Sequence, residues 1–319
     1  MFWTLNLIVA AQEPTFRTQS NVVTVPALVR DAMGQVVYGL QAKDFVIEDD
    51  RVEQPVKMDE AADSEPISMV VALQCGRRAK REFPRMLGLG SLLSPVFAQG
   101  ESRVALVEFD HEVKLLRDFT QDASTIDESL HKLAPGDNGA AILDAVQYSV
   151  RLLERSPNEH RRVLLLISET RDHGSHFSKI PDVVATVGNS NTVVFALAFS
   201  PSLSQVLDTE RGRNKDEWGA GPDLLAPLLM ASQSMRKNVP RAITGMTGGD
   251  YELFSSRKRF EGLMTDFTNH LHSRYLLSFE PKNPRPGLHR IRVQLKEPGK
   301  RTVLARTSYW AQGATQETR

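Results

Sequence analysis

Cys75 is the only cysteine of the chain, and Gln74-Cys75-Gly76-Arg77-Arg78 stands between an uninterrupted apolar run and a helical stretch. A thiol near a helix N-terminus is more acidic than usual. A histidine within reach completes the common activation scheme for such a nucleophile. His173 and His176, in the loop Asp172-His173-Gly174-Ser175-His176, are the candidates. The competing reading makes Cys75 a small half-buried spacer, because a lone cysteine is more often inert than reactive. Asp172, His173 and His176 also offer metal-ligand atoms, but their spacing is loose and no fourth ligand is evident. Arg77 and Arg78 fall at the expected helix start, where backbone N–H groups favour anions. A guanidinium there can meet a partner's carboxylate directly, or the pair can simply be solvated surface. Trp218 lies beside Gly219 and Gly221 in a long polar segment. Exposed aromatics of this kind are enriched in contact hot spots, though Trp218 can equally pack its own loop down. No G-x-S-x-G nucleophile signal is present. Gly245-Met246-Thr247-Gly248-Gly249 lacks the following Gly-Lys-Ser/Thr of a phosphate loop.

Composition narrows the classes. The 319 residues hold 39 Lys+Arg and 39 Asp+Glu, so formal net charge is zero. That disfavours a nucleic-acid binder, which usually carries a basic excess. A single cysteine excludes an intrachain disulfide and a thiolate-rich zinc site. Residues 1–11, MFWTLNLIVAA, resemble the end of a secretory signal, but without a basic start. They read equally as a first strand or a tail. No other run approaches the roughly 18 apolar residues of a membrane span, which points to a soluble mature protein.

The hydrophobic pattern places these residues. VVTVPALVRD (22–31) and DFVIEDD (44–50) read as strands, QVVYGL (35–40) as a short apolar run, and VEQPVKMDE as an irregular edge around Pro55. ISMVVAL (67–73), RVLLLIS (162–168) and TVVFALAF (192–199) are continuous apolar runs, the mark of strands buried on both faces of a parallel sheet. RVALVEF (103–109) and EVKLLRDF (112–119) form a strand pair turning at Asp110-His111. Helices are expected over about 80–97 with breaks at Gly88 and Gly90, 126–133, 138–154, 183–187, 224–234 and 260–274. RYLLSFEP, LHRIRVQL and RTVLARTSYW are three terminal strand-like runs. Strand-helix alternation in the middle means α/β. Three C-terminal strands alone make a poor core, so pairing them with the N-terminal strands is the simplest packing.

Three segments, in order, resemble the von Willebrand factor A-related proteins of Acidobacteria and their relatives: VRDAMGQVVYGLQAKDFVIEDD (29–50), TGMTGGDYELF (244–254) and SRYLLSFEPKNPRPGLHRIRVQL (273–295). The resemblance spans roughly residues 16–311. It implies a doubly wound, mostly parallel sheet (63–274) inserted into a small β-sandwich formed by the N- and C-terminal segments (16–62 and 275–312). The ends are a residual signal segment or tail (1–15) and a disordered tail (313–319).

The resemblance also implies a metal-ion-dependent adhesion site, where Asp-x-Ser-x-Ser, a Thr and a later Asp hold a hard cation whose open position takes a partner's carboxylate. Read onto this chain, Gln74 stands for the Asp, Gly76 and Arg78 for the two Ser, Ala140 for the Thr, and Glu169 for the later Asp. This is a degenerate site, with no metal and no cofactor expected. The leading expectation is a non-enzymatic, metal-independent protein-binding module using Gln74, Cys75, Gly76, Arg77, Arg78, Ala140 and Glu169, with Trp218 as a contact loop. It is expected to be exported, periplasmic or extracellular, with another protein as partner. The alternatives are a structural part without its own ligand, and a cysteine-dependent enzyme using Cys75. The oligomeric state is open.

Overall fold

The computed structural model describes residues 22–59, 65–98, 100–199, 226–282 and 284–312. The segment 1–15, Trp218 with most of its polar loop, and the tail 313–319 lie outside the described residues. The N-terminal strands are β1 (Val23–Arg30), β2 (Phe45–Asp49), β3 (Val52–Gln54) and β4 (Lys57–Asp59). The central strands are β5 (Ile67–Gln74), β6 (Arg103–Phe109), β7 (Val113–Thr120), β8 (Arg161–Ser168), β9 (Val193–Ala198) and β10 (Tyr251–Leu253). The chain closes with β11 (Tyr275–Phe279), β12 (Gly287–Leu295), β13 (Thr302–Ala305) and β14 (Ser308–Ala311).

The central sheet runs β10-β9-β8-β5-β6-β7, parallel throughout except for β7 at one edge. β5 is buried at every position. Its Ile67, Met69, Val71 and Leu73 enter one core, and Val70 and Ala72 enter the other. That two-sided burial is why the run shows no polar alternation. On the first face lie three short helices, α1 (Phe83–Met86), α2 (Leu89–Leu92) and α3 (Ser94–Phe97), with α4 (Ala123–His131). Gly88 (φ +85°) precedes α2, so the expected broken helix is three separate turns. The other face carries α5 (Ile142–Glu154), α6 (Ile180–Asn189), α7 (Ala226–Lys237) and α8 (Val239–Thr247). The last helix, α9 (Arg257–His272), packs on the first face through Phe260, Leu263 and Phe267. α8 was not expected from its sequence, because Pro240, Thr244, Gly245 and Thr247 are poor helix formers. Pro240 sits in its first turn, where a missing N–H costs nothing.

The outer segments make two antiparallel four-stranded sheets, β13-β1-β11-β4 and β14-β12-β2-β3, around a third core. Two runs change sheet midway. VEQPVKMDE breaks at Pro55 into β3 and β4, and RTVLARTSYW breaks at Arg306 into β13 and β14. Proline removes one ladder donor. Arg306, 5% exposed, donates instead to the carbonyls of Thr24, Ser308 and Gly188. Gly188 lies in the last turn of α6, whose carbonyl end is electronegative.

The two units share a half-buried ionic knot around the buried Arg274. Asp250, just before β10, accepts from Arg30 of β1 and Arg274 before β11, each at 2.7 Å, and faces His270 of α9 at 3.4 Å. Arg274 also donates to the Gly248 carbonyl and lies over the Phe195 ring. Burial disfavours the Asp250 charge, but His270, Arg274 and Arg30 outweigh it and hold the carboxyl far below its usual range. Burial brings the Arg274 guanidinium down to about 10, partly offset by Asp250, so it stays charged at neutral pH. Beside the knot, Gly248 (φ +82°) caps α8, and a Cβ on Gly249 would lie 1.9 Å from the Val194 carbonyl oxygen.

Asp250→Ala strands two guanidiniums and should cost about 3–5 kcal/mol in urea unfolding. Because the folded carboxyl is depressed, its contribution is complete above about pH 4 and fades as pH falls below that. The deficit of Asp250→Ala relative to the wild type should therefore shrink in acid. Gly249→Ala should cost more than about 2 kcal/mol in the same measurement.

Candidate functional site

In a doubly wound sheet the connections leave opposite ways at one point, and ligands bind at the carboxyl ends there. Here that point lies between β5 and β8. β5 ends at Gln74 and β8 at Ser168, followed by Glu169. The Gln74 amide donates to Glu169 Oε1 at 2.9 Å, and Gln74 Oε1 accepts the Glu169 backbone N–H at 2.8 Å. Both side chains are almost fully buried, at 1% and 5% exposure. The other Glu169 oxygen faces His173 Nε2 at 3.3 Å and the Arg78 guanidinium at 3.8 Å.

Three loops meet here through their backbones. A Cβ on Gly76 would lie 2.5 Å from the Gly139 carbonyl oxygen, so a serine does not fit at residue 76 without a shift. The Cys75 N–H donates to the Phe109 carbonyl at 2.7 Å, and the Cys75 carbonyl accepts from Gly136 at 2.9 Å. Ala140 is fully buried and exchanges two backbone hydrogen bonds with His173. Gln74, Gly76, Arg78, Ala140 and Glu169 therefore share one patch. Cys75 is part of its floor, and Arg77 is exposed at its rim. Of the positions equated with metal ligands, Gly76, Arg78 and Ala140 bring no side-chain oxygen.

Two sequence expectations are corrected. Arg77 and Arg78 do not open a long α-helix: Arg78 precedes a 3₁₀ turn, Ala79–Arg81, and the one-turn α1 comes after it. Both are too short for a significant dipole. Cys75 is accordingly not acidified. Burial first, then Glu108 and Asp110, push its thiol up to about 12.

Asp172, His173 and His176 do not converge as ligands. Asp172 Oδ1 accepts the Leu143 N–H at the start of α5 and the Ser175 hydroxyl, while His173 turns to Glu169. The loop is ordered by a residue that sequence reading passed over. Asp144, 6% exposed, accepts the backbone N–H groups of His176, Phe177 and Ser178 at 2.6–3.3 Å. The signal was a lone carboxylate among Ile142, Leu143, Ala145 and Val146. The loop it holds presents Phe177 at 88% exposure. Asp110, His111 and Asp137 form a second overlooked group on this face. Burial opposes the Asp110 charge, but the N–H groups of Glu112 and Asp137 outweigh it and keep its carboxyl below the usual range. Among the described residues no helix is long and apolar enough to cross a membrane.

Among solved structures, the chain is similar to BatB of Bacteroides thetaiotaomicron, with 13% identity over 64% of this chain and 98% of that one, at a TM-score of 0.44. It is also similar to the vWF domain of the type V pili tip protein Mfa5 of Porphyromonas gingivalis, with 9% identity, 64% and 94% coverage and a TM-score of 0.45. A von Willebrand factor type A protein of Catenulispora acidiphila matches at 9% identity over 93% of this chain and 76% of that one, at 0.45. Comparison with curated sequences gives no significant match. Residues 76–172, from the loop after β5 to the loop after β8, match the family described as von Willebrand factor type A domain.

Proposed function

We propose that the chain is an exported, non-enzymatic binding module that recognises another protein through the carboxyl-end face of its central sheet, without a metal ion. In this reading residues 63–274 form the recognising domain, and residues 16–62 with 275–312 form its clasp. The observation that carries it is Phe177, an aromatic ring 88% exposed on a loop whose backbone is fixed by Asp144. An exposed apolar ring on a pre-ordered loop loses little entropy on binding and is the residue type that anchors interfaces. Among the described residues, cavities of about 340 and 270 Å³ lie away from this face, one at the amino end of the sheet and one in the sandwich. A protruding contact suits a protein surface better than a small molecule, which needs a hollow.

The proposed patch comprises Gln74, Cys75, Gly76, Arg77, Arg78, Ala140 and Glu169, of which Arg77 and Arg78 are exposed. These residues do not suit a hard cation, which needs several oxygen donors. Gln74 and Glu169 satisfy each other, and Arg78 already faces the buried Glu169 carboxylate. A Cys75 enzyme is disfavoured because a thiol pushed up to about 12 is protonated at neutral pH.

With the protein immobilised, a specific partner should be retained in EDTA as well as in Mg²⁺, and Phe177→Ala should weaken its binding by about thirtyfold. A partner indifferent to Phe177→Ala, or released by EDTA, would sink this reading. Cys75 in the native chain should resist iodoacetamide at pH 8 and react only after unfolding in urea.

A further inference from the structure

The outer sheet of the sandwich carries a cluster that the carboxyl-end face does not use. Asp49 ends β2, Asp50 follows it in the turn to β3, and His289 lies on β12. One ligand atom from each lies within 4.8 Å of the other two. His289 Nδ1 stands 2.9 Å from Asp50 Oδ2 and 3.7 Å from Asp49 Oδ1.

Each of the three residues is anchored through its remaining polar atom. The Tyr309 hydroxyl donates to Asp49 Oδ2 at 2.9 Å. The Arg290 N–H donates to Asp50 Oδ1 at 3.0 Å. His289 Nε2 donates to the Arg285 carbonyl at 2.6 Å, which makes Nδ1 the inward-facing nitrogen. Outer hydrogen bonds of this kind are what orient the ligands of a metal ion. Asp49 Oδ1 is aimed at the same point, in a residue only 9% exposed, and no hydrogen-bond donor reaches it.

A proton on His289 Nδ1 would serve Asp50, but Asp49 Oδ1, at 3.7 Å, would stay unmatched. A divalent ion serves both carboxylates, and with a neutral imidazole the charges cancel. Donors about 2.0–2.2 Å from one ion lie roughly 3–3.5 Å from each other, a range bracketed by the 2.9 and 3.7 Å from His289 Nδ1 to the two carboxylate oxygens. An adjoining groove of about 270 Å³, lined in part by Val52, Pro55, Lys282 and Pro284, leaves room for further donors such as water. We propose that Asp49 Oδ1, Asp50 Oδ2 and His289 Nδ1 form a binding site for a divalent first-row transition ion. One imidazole with two carboxylates suits Zn²⁺ and its neighbours. The ion staples the β2–β3 turn to β12, and through Tyr309 to β14.

The probe is Zn²⁺, titrated calorimetrically into the full chain. One equivalent should bind with a micromolar or tighter dissociation constant, raise the Tm and shift the His289 ring resonances. Asp50→Asn keeps a side chain that tolerates the φ of +47° at this turn and should stay folded by circular dichroism. It should weaken Zn²⁺ at least about a hundredfold, and Tyr309→Phe should weaken it about 10- to 100-fold. Lack of saturable Zn²⁺ binding would overturn the proposal. So would equal binding by folded Asp50→Asn, or loss of the ion on Asp137→Asn instead.

Discussion

The carboxylate of Asp250 is the point on which the arrangement of the two units turns. It joins a strand of the sandwich, the last helix and the edge strand of the central sheet through Arg30, His270 and Arg274. Burying a guanidinium as deeply as Arg274 is unfavourable unless a carboxylate and a carbonyl stand beside it. Asp250 and Gly248 supply both, and the two glycines before Asp250 allow the chain to reach that position. Arg306 makes a second junction by donating to three carbonyls, one in the last turn of α6. The inserted unit is thus held on two sides, so its carboxyl-end face is carried on a fixed support.

On that face, the ends of β5 and β8 are joined by a neutral amide and a buried carboxylate. Their two mutual hydrogen bonds close the point where strand connections diverge. Glycines at 76 and 139 let neighbouring loops approach to backbone contact. The consequence is that the loops after β5, β6 and β8 interlock through their backbones. What projects from it is the Asp144-held loop with Phe177. The chemistry available there is contact and charge: an aromatic ring, exposed guanidiniums at Arg77 and Arg78, and imidazoles.

Much of the fold was legible in the residues. Runs such as ISMVVAL and RVLLLIS lack polar alternation because helices cover both faces of their strands, and the paired runs 103–109 and 112–119 turn where Asp110 breaks the pattern. Less legible were the segments whose shape is imposed from outside. α8 forms although Gly245, Thr244 and Thr247 weaken it, because Val239, Ile243 and Met246 bury against the sheet. Within RTVLARTSYW nothing local marks the change of sheet at Arg306, since two of the three carbonyls it donates to, those of Thr24 and Gly188, come from residues far away in the chain.

The candidate site divides the same way. Residue types alone determined that a glutamine, a glycine and an alanine stand where the resemblance places oxygen donors, and that one cysteine and a few histidines were the other reactive groups. Only the tertiary structure decided what these groups do. Burial and the nearby Glu108 and Asp110 raise the Cys75 thiol, where a local reading had lowered it. Asp172 and Asp144 are spent on backbone N–H groups, and Asp49, Asp50 and His289 meet across some 240 residues. Hydrophobic periodicity is written along the chain and can be read there. The protonation and partners of a polar group depend on which distant atoms surround it, and only the folded packing specifies those.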